Sequence, residues 1–161
     1  MHQIQRQQTA GFLRDSGISR ALFAHHETVA WLTGYAPPLD MGINHFAGGP
    51  ALVWYEDGHF TLIVQDGLAA HAGAFDDEPD GTLLTYRAYT VETPLEPSRH
   101  MASVLRSRVE TSGGTASLAV ELDSVTARQM DTVLMALPGA GIVPCDGWLK
   151  PLRMIKNAEE I

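Results

Sequence analysis

Two β-rich runs, residues 51–55 and 59–65, flank Glu56-Asp57-Gly58. Asp-Gly supplies the positive φ that a tight turn demands, so the two runs pair as an antiparallel hairpin. A chain committed to that hairpin must build a sheet, and the remaining segments decide what covers it.

The segments on either side alternate in type. Residues 3–16 hold good helix formers and close on Gly17; their apolar members, Ile4, Ala10, Phe12 and Leu13, allow one narrow buried stripe. The short apolar run 20–24 reads as a strand. Residues 28–33 fit either a helical turn or a strand, ended by Gly34. From 36 to 50 the composition shifts to Pro and Gly, a loop of the length that tends to be functional.

Beyond the hairpin, residues 68–75 predict a small-residue helix and 83–89 a strand. Pro97 predicts a helix start that places Met101, Val104, Leu105 and Val109 on one face, closed by Gly113-Gly114. A strand over 117–121 precedes a helix capped by Ser124 or Asp123, with Met130, Val133, Leu134 and Leu137 at i, i+3, i+4, i+7. Pro138-Gly139 stops it, and 141–145 makes a last short strand. This order predicts a single α/β domain, a mixed sheet with helices on both faces.

A length of 161 residues suffices for a core without covalent staples, and a single cysteine, Cys145, excludes an intrachain disulfide. The net charge of -8 and the lack of a basic run point away from nucleic acid and anionic membranes. The polar start and the absence of about 18 uninterrupted apolar residues exclude a signal core and a spanning helix, giving a cytoplasmic expectation.

The chemistry-bearing residues do not converge. Adjacent His25, His26 and Glu27 cannot all face one ion, and no HxxxH or HExxH spacing exists. His59, His71 and His100 are scattered singly; Cys145, between Pro144 and Asp146, reads as a buried structural thiol. The carboxylates of 76–80 lack the alternation and glycine of a calcium loop. No GxSxG elbow, phosphate loop or GxGxxG fingerprint is present. The expectation is no catalytic residue and no metal site within the chain.

Three segments nevertheless form a recognisable series. Thr28-Val29-Ala30-Trp31-Leu32-Thr33-Gly34-Tyr35 is similar to the N-x-x-Y-L-T-G-F/Y segment of creatinase, prolidase and aminopeptidase P amino-terminal domains. Residues 50–64 resemble the hairpin that follows it, and Leu152-Arg153-Met154-Ile155-Lys156-Asn157-Ala158-Glu159-Glu160-Ile161 resembles the family's L-R-x-I-K-S-x-x-E-I junction. Thr28, Trp31 and Asn157 stand where the family carries Asn, Tyr and Ser.

The resemblance implies a ribonuclease-H-like domain over 1–152 and a junction over 153–161 leading into a C-terminal pita-bread catalytic domain. The parent would be a metal-dependent Xaa-Pro dipeptidase, aminopeptidase P or creatinase-like hydrolase of peptides or small C–N substrates. Two divalent ions (manganese, cobalt or zinc) would sit in that second domain on two Asp, one His and two Glu, although creatinase works without metal. This domain would contact its own catalytic domain, help form a homodimer and shape substrate access through the loop after L-T-G. Tyr35, Asn44, His45 and Phe46 are the substrate-proximal candidates. Phe46 could pack on a substrate ring or equally pin the loop to the core. The alternative is a stand-alone binding or assembly module of the same fold without hydrolase activity.

Overall fold

The structure is a computed structural model, and it describes residues 2–37, 49–88, 91, 96–112 and 117–154. Helix α1 (Gln3–Asp15) leads into strand β1 (Arg20–Phe23) and helix α2 (His26–Thr33). The hairpin is β2 (Leu52–Glu56) and β3 (His59–Gln65), followed by β4 (Gly81–Tyr86) and α3 (Pro97–Glu110). Then come β5 (Leu118–Val120), α4 (Ala127–Ala136), β6 (Ile142–Pro144) and the four-residue α5 (Lys150–Arg153).

The strands lie in the order β4-β3-β2-β1-β5-β6. β2 runs antiparallel to both β1 and β3, whereas β3 with β4, β1 with β5, and β5 with β6 are parallel. One reversed strand in an otherwise parallel sheet follows from the hairpin turn, where Asp57 and Gly58 take φ of 47° and 94°. Both positive values match a two-residue turn whose twist suits the flanking strands.

Period-two alternation sorts the strand side chains onto two faces. Ala21, Phe23, Val53, Tyr55, Phe60 and Leu62 join Leu13, Val29 and Leu32 of α1 and α2 in one core. Leu22, Trp54, Ile63, Leu118 and Val120 join Met101, Leu105 and Val133 of α3 and α4 in the other. Helices therefore cover both faces, as the alternation of segments predicts.

Several local expectations change. Segment 28–33 is helical and begins two residues earlier, at His26, because the chain turns off β1 at His25. Residues 68–75 form no α-helix; two 3₁₀ segments, Asp66–Ala72 and Phe75–Asp77, make the connection to β4. On α1 the buried residues are Gln5, Arg6, Thr9 and Leu13, and Ile4 is exposed. A buried polar stripe overrides the apolar one because Arg6 finds an acidic partner across the domain. On α4 Leu134 is exposed, and the packed face runs through Gln129, Val133 and Leu137.

The cap of α4 is also displaced. Thr126 accepts from the Gln129 backbone at 3.3 Å, and the Gln129 side chain accepts from Thr126 N–H at 2.8 Å. This reciprocal box satisfies two donors that a cap at Ser124 or Asp123 would leave open. Gly113-Gly114, the expected end of α3, lies outside the described residues.

Away from α2, the starts of β1 and β3 and the ends of β2 and α3 are stitched by a charged network. Glu56 accepts from Arg20 Nε at 3.1 Å, Arg108 Nη1 at 3.0 Å and Ser112 Oγ at 2.8 Å. Burial alone would raise its carboxyl, but the bonds from Ser112 and Arg108 and the arginine charge outweigh that and hold it below its ordinary 4.5.

Two predictions follow from these contacts. Thr126→Ala should cost about 1 kcal/mol in urea unfolding, while Ser124→Ala should stay within about 0.5 kcal/mol. Glu56 is stabilising above its unfolded pKa, and that contribution disappears as pH falls through the depressed folded value. Glu56→Gln should therefore lower stability by about 1–3 kcal/mol at neutral pH and flatten the acid limb of a stability-versus-pH titration.

Candidate functional site

Tyr35 is the one substrate-proximal candidate among the described residues; Asn44, His45 and Phe46 lie outside them. It follows α2 directly, and its ring is 7% exposed within the core of the α1–α2 face. Burial first, and the neighbouring Tyr86 second, push its phenol up to about 12. The phenol is therefore neutral across the physiological range and serves as a packed anchor rather than an acid or base.

Each end of α2 is held by groups from elsewhere. At its start, Glu121, 4% exposed just past β5, accepts from the backbone N–H of Ala24 at 2.9 Å and of His25 at 2.8 Å. The Thr28 hydroxyl donates to the same carboxylate at 2.7 Å. A carboxylate at a helix N-terminus answers both the open donors and the positive end of the dipole. Thr28, which departs from the family's Asn, thus has a defined partner.

At the other end, the C-terminal carbonyls of α2 meet α1. His2 Nδ1 lies 2.9 Å from Trp31 O, and Arg6 Nη1 donates to Leu32 O at 3.2 Å. Gly34 N–H donates to Ala30 O at 2.8 Å, with Gly34 at φ 75° as the left-handed stop. The Thr33 hydroxyl donates to Val29 O at 2.7 Å and accepts from Tyr35 N–H at 3.1 Å. The Leu-Thr-Gly segment is in this way a fixed exit into the loop that follows.

Arg6 is the most buried cation among the described residues, 1% exposed. Its Nε donates to Asp80 Oδ2 at 2.9 Å, and Nη2 lies 2.9 Å from Asp80 Oδ1 and 3.4 Å from Glu78. Its guanidinium carbon stands 5.3 Å above the Phe75 ring centroid. The acidic cluster 76–80, which lacks the pattern of a calcium loop, is in part this counter-charge. Asp76 supplies a further acceptor, to Leu83 N–H at 2.6 Å.

The other chemistry-bearing residues stay apart. His25 and His26 stack with ring centroids 5.1 Å apart, His59 pairs with Thr82, and His100 lies against Arg87 O. Cys145 is 1% exposed, and burial, followed by the charges of Glu121 and Asp146, raises its thiol far above the reactive range. Among the described residues no group of three or more His, Cys, Asp or Glu is placed to hold a metal ion. None of the described helices is long and apolar enough to cross a membrane.

An open groove of about 720 Å³ lies between α3 and α4 on the opposite face of the sheet, lined in part by Arg99, Arg106, Arg128, Asp131 and Met135. Arg99 is paired with Glu96 at 2.8 Å and Arg106 with Glu110 at 3.9 Å, so these cations are engaged on their own helix.

Sequence reasoning missed the contacts that His2, Arg6 and Glu121 make with α2. The spacing of His2, Arg6 and Thr9 at helical intervals on one face was a usable signal, hidden because those residues are polar. Glu121 closes an apolar strand and gives no periodic cue.

Solved structures of this shape exist. An Xaa-Pro dipeptidase from Bacillus anthracis is 16% identical with a TM-score of 0.63, over 98% of this chain and 37% of that one. A proline dipeptidase from Streptococcus pneumoniae is 15% identical with a TM-score of 0.67, over 94% of this chain and 98% of that one. The N-terminal domain of the cytoplasmic peptidase PepQ from Mycobacterium tuberculosis is 16% identical with a TM-score of 0.61, over 93% and 98%. At such identities the likeness establishes the fold, and the chain spans only 37% of the Bacillus enzyme's length. No curated protein matches the sequence. The family described as the Creatinase/Prolidase N-terminal domain matches residues 5–155, almost the whole of the described fold. The chain belongs to that family.

Proposed function

We propose that this chain is the non-catalytic N-terminal domain of an Xaa-Pro peptidase, acting by shaping substrate access and subunit contacts. The observation that carries the reading is the lopsided coverage. The fold accounts for 98% of this chain but 37% of an Xaa-Pro dipeptidase, and it matches an isolated N-terminal peptidase domain over 98% of that domain.

The residues themselves support a supporting role. Their buried carboxylates and cations are spent on holding α2 and the sheet, and the described thiol is inert. No reaction step is assigned to them. This reading assigns the divalent ions that the resemblance implies to the catalytic domain; it accords with the described residues, among which no group of three or more His, Cys, Asp or Glu is placed to hold a metal. Residues 153–161 would carry the chain into that domain: Leu152 still packs on the core, whereas Met154 is 75% exposed. A homodimer, a peptide or small C–N substrate and a cytoplasmic setting complete the reading; the Mycobacterium relative's name accords with the last.

The test is the full-length protein assayed against Xaa-Pro dipeptides and creatine, with and without manganese. Turnover of an Xaa-Pro peptide, from a polypeptide whose gene continues past Ile161 into an Asp-Asp-His-Glu-Glu domain, supports the reading. A folded, stand-alone product with no turnover sinks it and leaves a binding module. In the active enzyme, Phe46→Ala should raise KM roughly three- to tenfold with unchanged metal content, the loss of one aromatic contact. Unaltered kinetics would remove Phe46 from the substrate-facing set.

A further inference from the structure

We infer that His2 and Arg6 are positioning residues that set the direction in which the chain leaves α2 at Gly34 and Tyr35. Its functional half rests on the proposed reading that this domain shapes substrate access. Its structural half stands on the described residues alone.

An α-helix ends with four carbonyls that lack intrahelical donors. In α2 these belong to Ala30, Trp31, Leu32 and Thr33. Gly34 N–H takes the first, and side chains from the start of α1 and the residue before it take the next two: His2 on Trp31 O and Arg6 on Leu32 O. A carbonyl only accepts, so His2 Nδ1 carries the hydrogen. His2, the residue immediately before α1, lies one turn ahead of Arg6, which brings both to the same neighbouring helix end. The positive guanidinium also suits the negative end of the α2 dipole.

Two further features make this more than surface capping. The His2 ring covers Gly34 so closely that a Cβ there would stand 2.9 Å from it and displace the ring, while the φ of 75° is what calls for the glycine itself. Arg6 is anchored from behind by Asp80, Glu78 and the Phe75 ring, so its remaining donor is aimed rather than free to wander. A buried ion pair is weak as a source of stability, since well-packed apolar residues often do as well. What it supplies here is a fixed bond vector to Leu32 O, two residues before the turn into the loop.

The experiment compares His2→Ala, Arg6→Met and Arg6→Lys in the full-length enzyme by amide hydrogen exchange and steady-state kinetics. His2→Ala and Arg6→Met should speed exchange at the Gly34 and Tyr35 amides roughly tenfold, the loss of about one hydrogen bond, with the β1–β3 amides unchanged. KM for an Xaa-Pro peptide should rise roughly three- to tenfold while kcat stays within about twofold, and Arg6→Lys should recover part of the loss. A folded variant with unchanged exchange at both amides overturns the inference, as does faster exchange with unchanged KM. Should Arg6→Met fail to fold, His2→Ala decides alone, because it removes a partly exposed ring. Unchanged KM in these variants beside a raised KM in Phe46→Ala defeats this inference only. Absence of any Xaa-Pro turnover defeats the functional reading instead, and the exchange data still decide whether the exit is held.

Discussion

An eight-residue helix cannot sustain itself in water, and the region around Tyr35 depends on how α2 escapes that limit. Its apolar side, Val29 and Leu32, is sealed into the core beside β1. Its ends are completed by distant residues: Glu121 at the start, His2 and Arg6 at the finish. The helix is thus a strut gripped at both ends, and the Leu-Thr-Gly exit inherits its orientation from the grip. Removing either clamp would leave buried backbone groups without partners, which costs more than the bonds contribute when made.

Arg6 and Glu121 are buried charges of opposite sign that are never in contact. Each is neutralised locally, Arg6 by Asp80 and Glu78, and Glu121 by backbone and hydroxyl donors. Apolar residues alone could fill the same volumes, yet they would not select one rotation of α2 over its neighbours. Directional bonds do select it.

The sheet was legible because its cues are local. Asp57-Gly58 specifies the hairpin by backbone geometry, and alternating apolar residues assign faces without knowledge of the rest of the chain. Helices α3 and α4 were legible for the same reason, through their periodic cores. The misreadings share a different cause. Ile4 reads as buried and Arg6 as exposed when judged by polarity, and only Asp80, 74 positions away, reverses that. Thr126 rather than Ser124 caps α4 because Gln129 reciprocates, a pairing that composition does not reveal. The family resemblance drew attention to the segment ending at Tyr35; the residues that hold that segment emerge only from contacts distant in sequence.

The parallel pairing of β1 with β5 carries a consequence for assembly. The hairpin closes across two turn residues, whereas Thr28 meets Glu121 across a sequence separation of 93. Loop-closure entropy rises with the logarithm of that span, by roughly 3 kcal/mol between the two cases. On a ribosome the first three strands can zip while the carboxylate that completes α2 is still unsynthesised. Vectorial synthesis therefore delays the pinning of the Leu-Thr-Gly corner until β5 has emerged and docked.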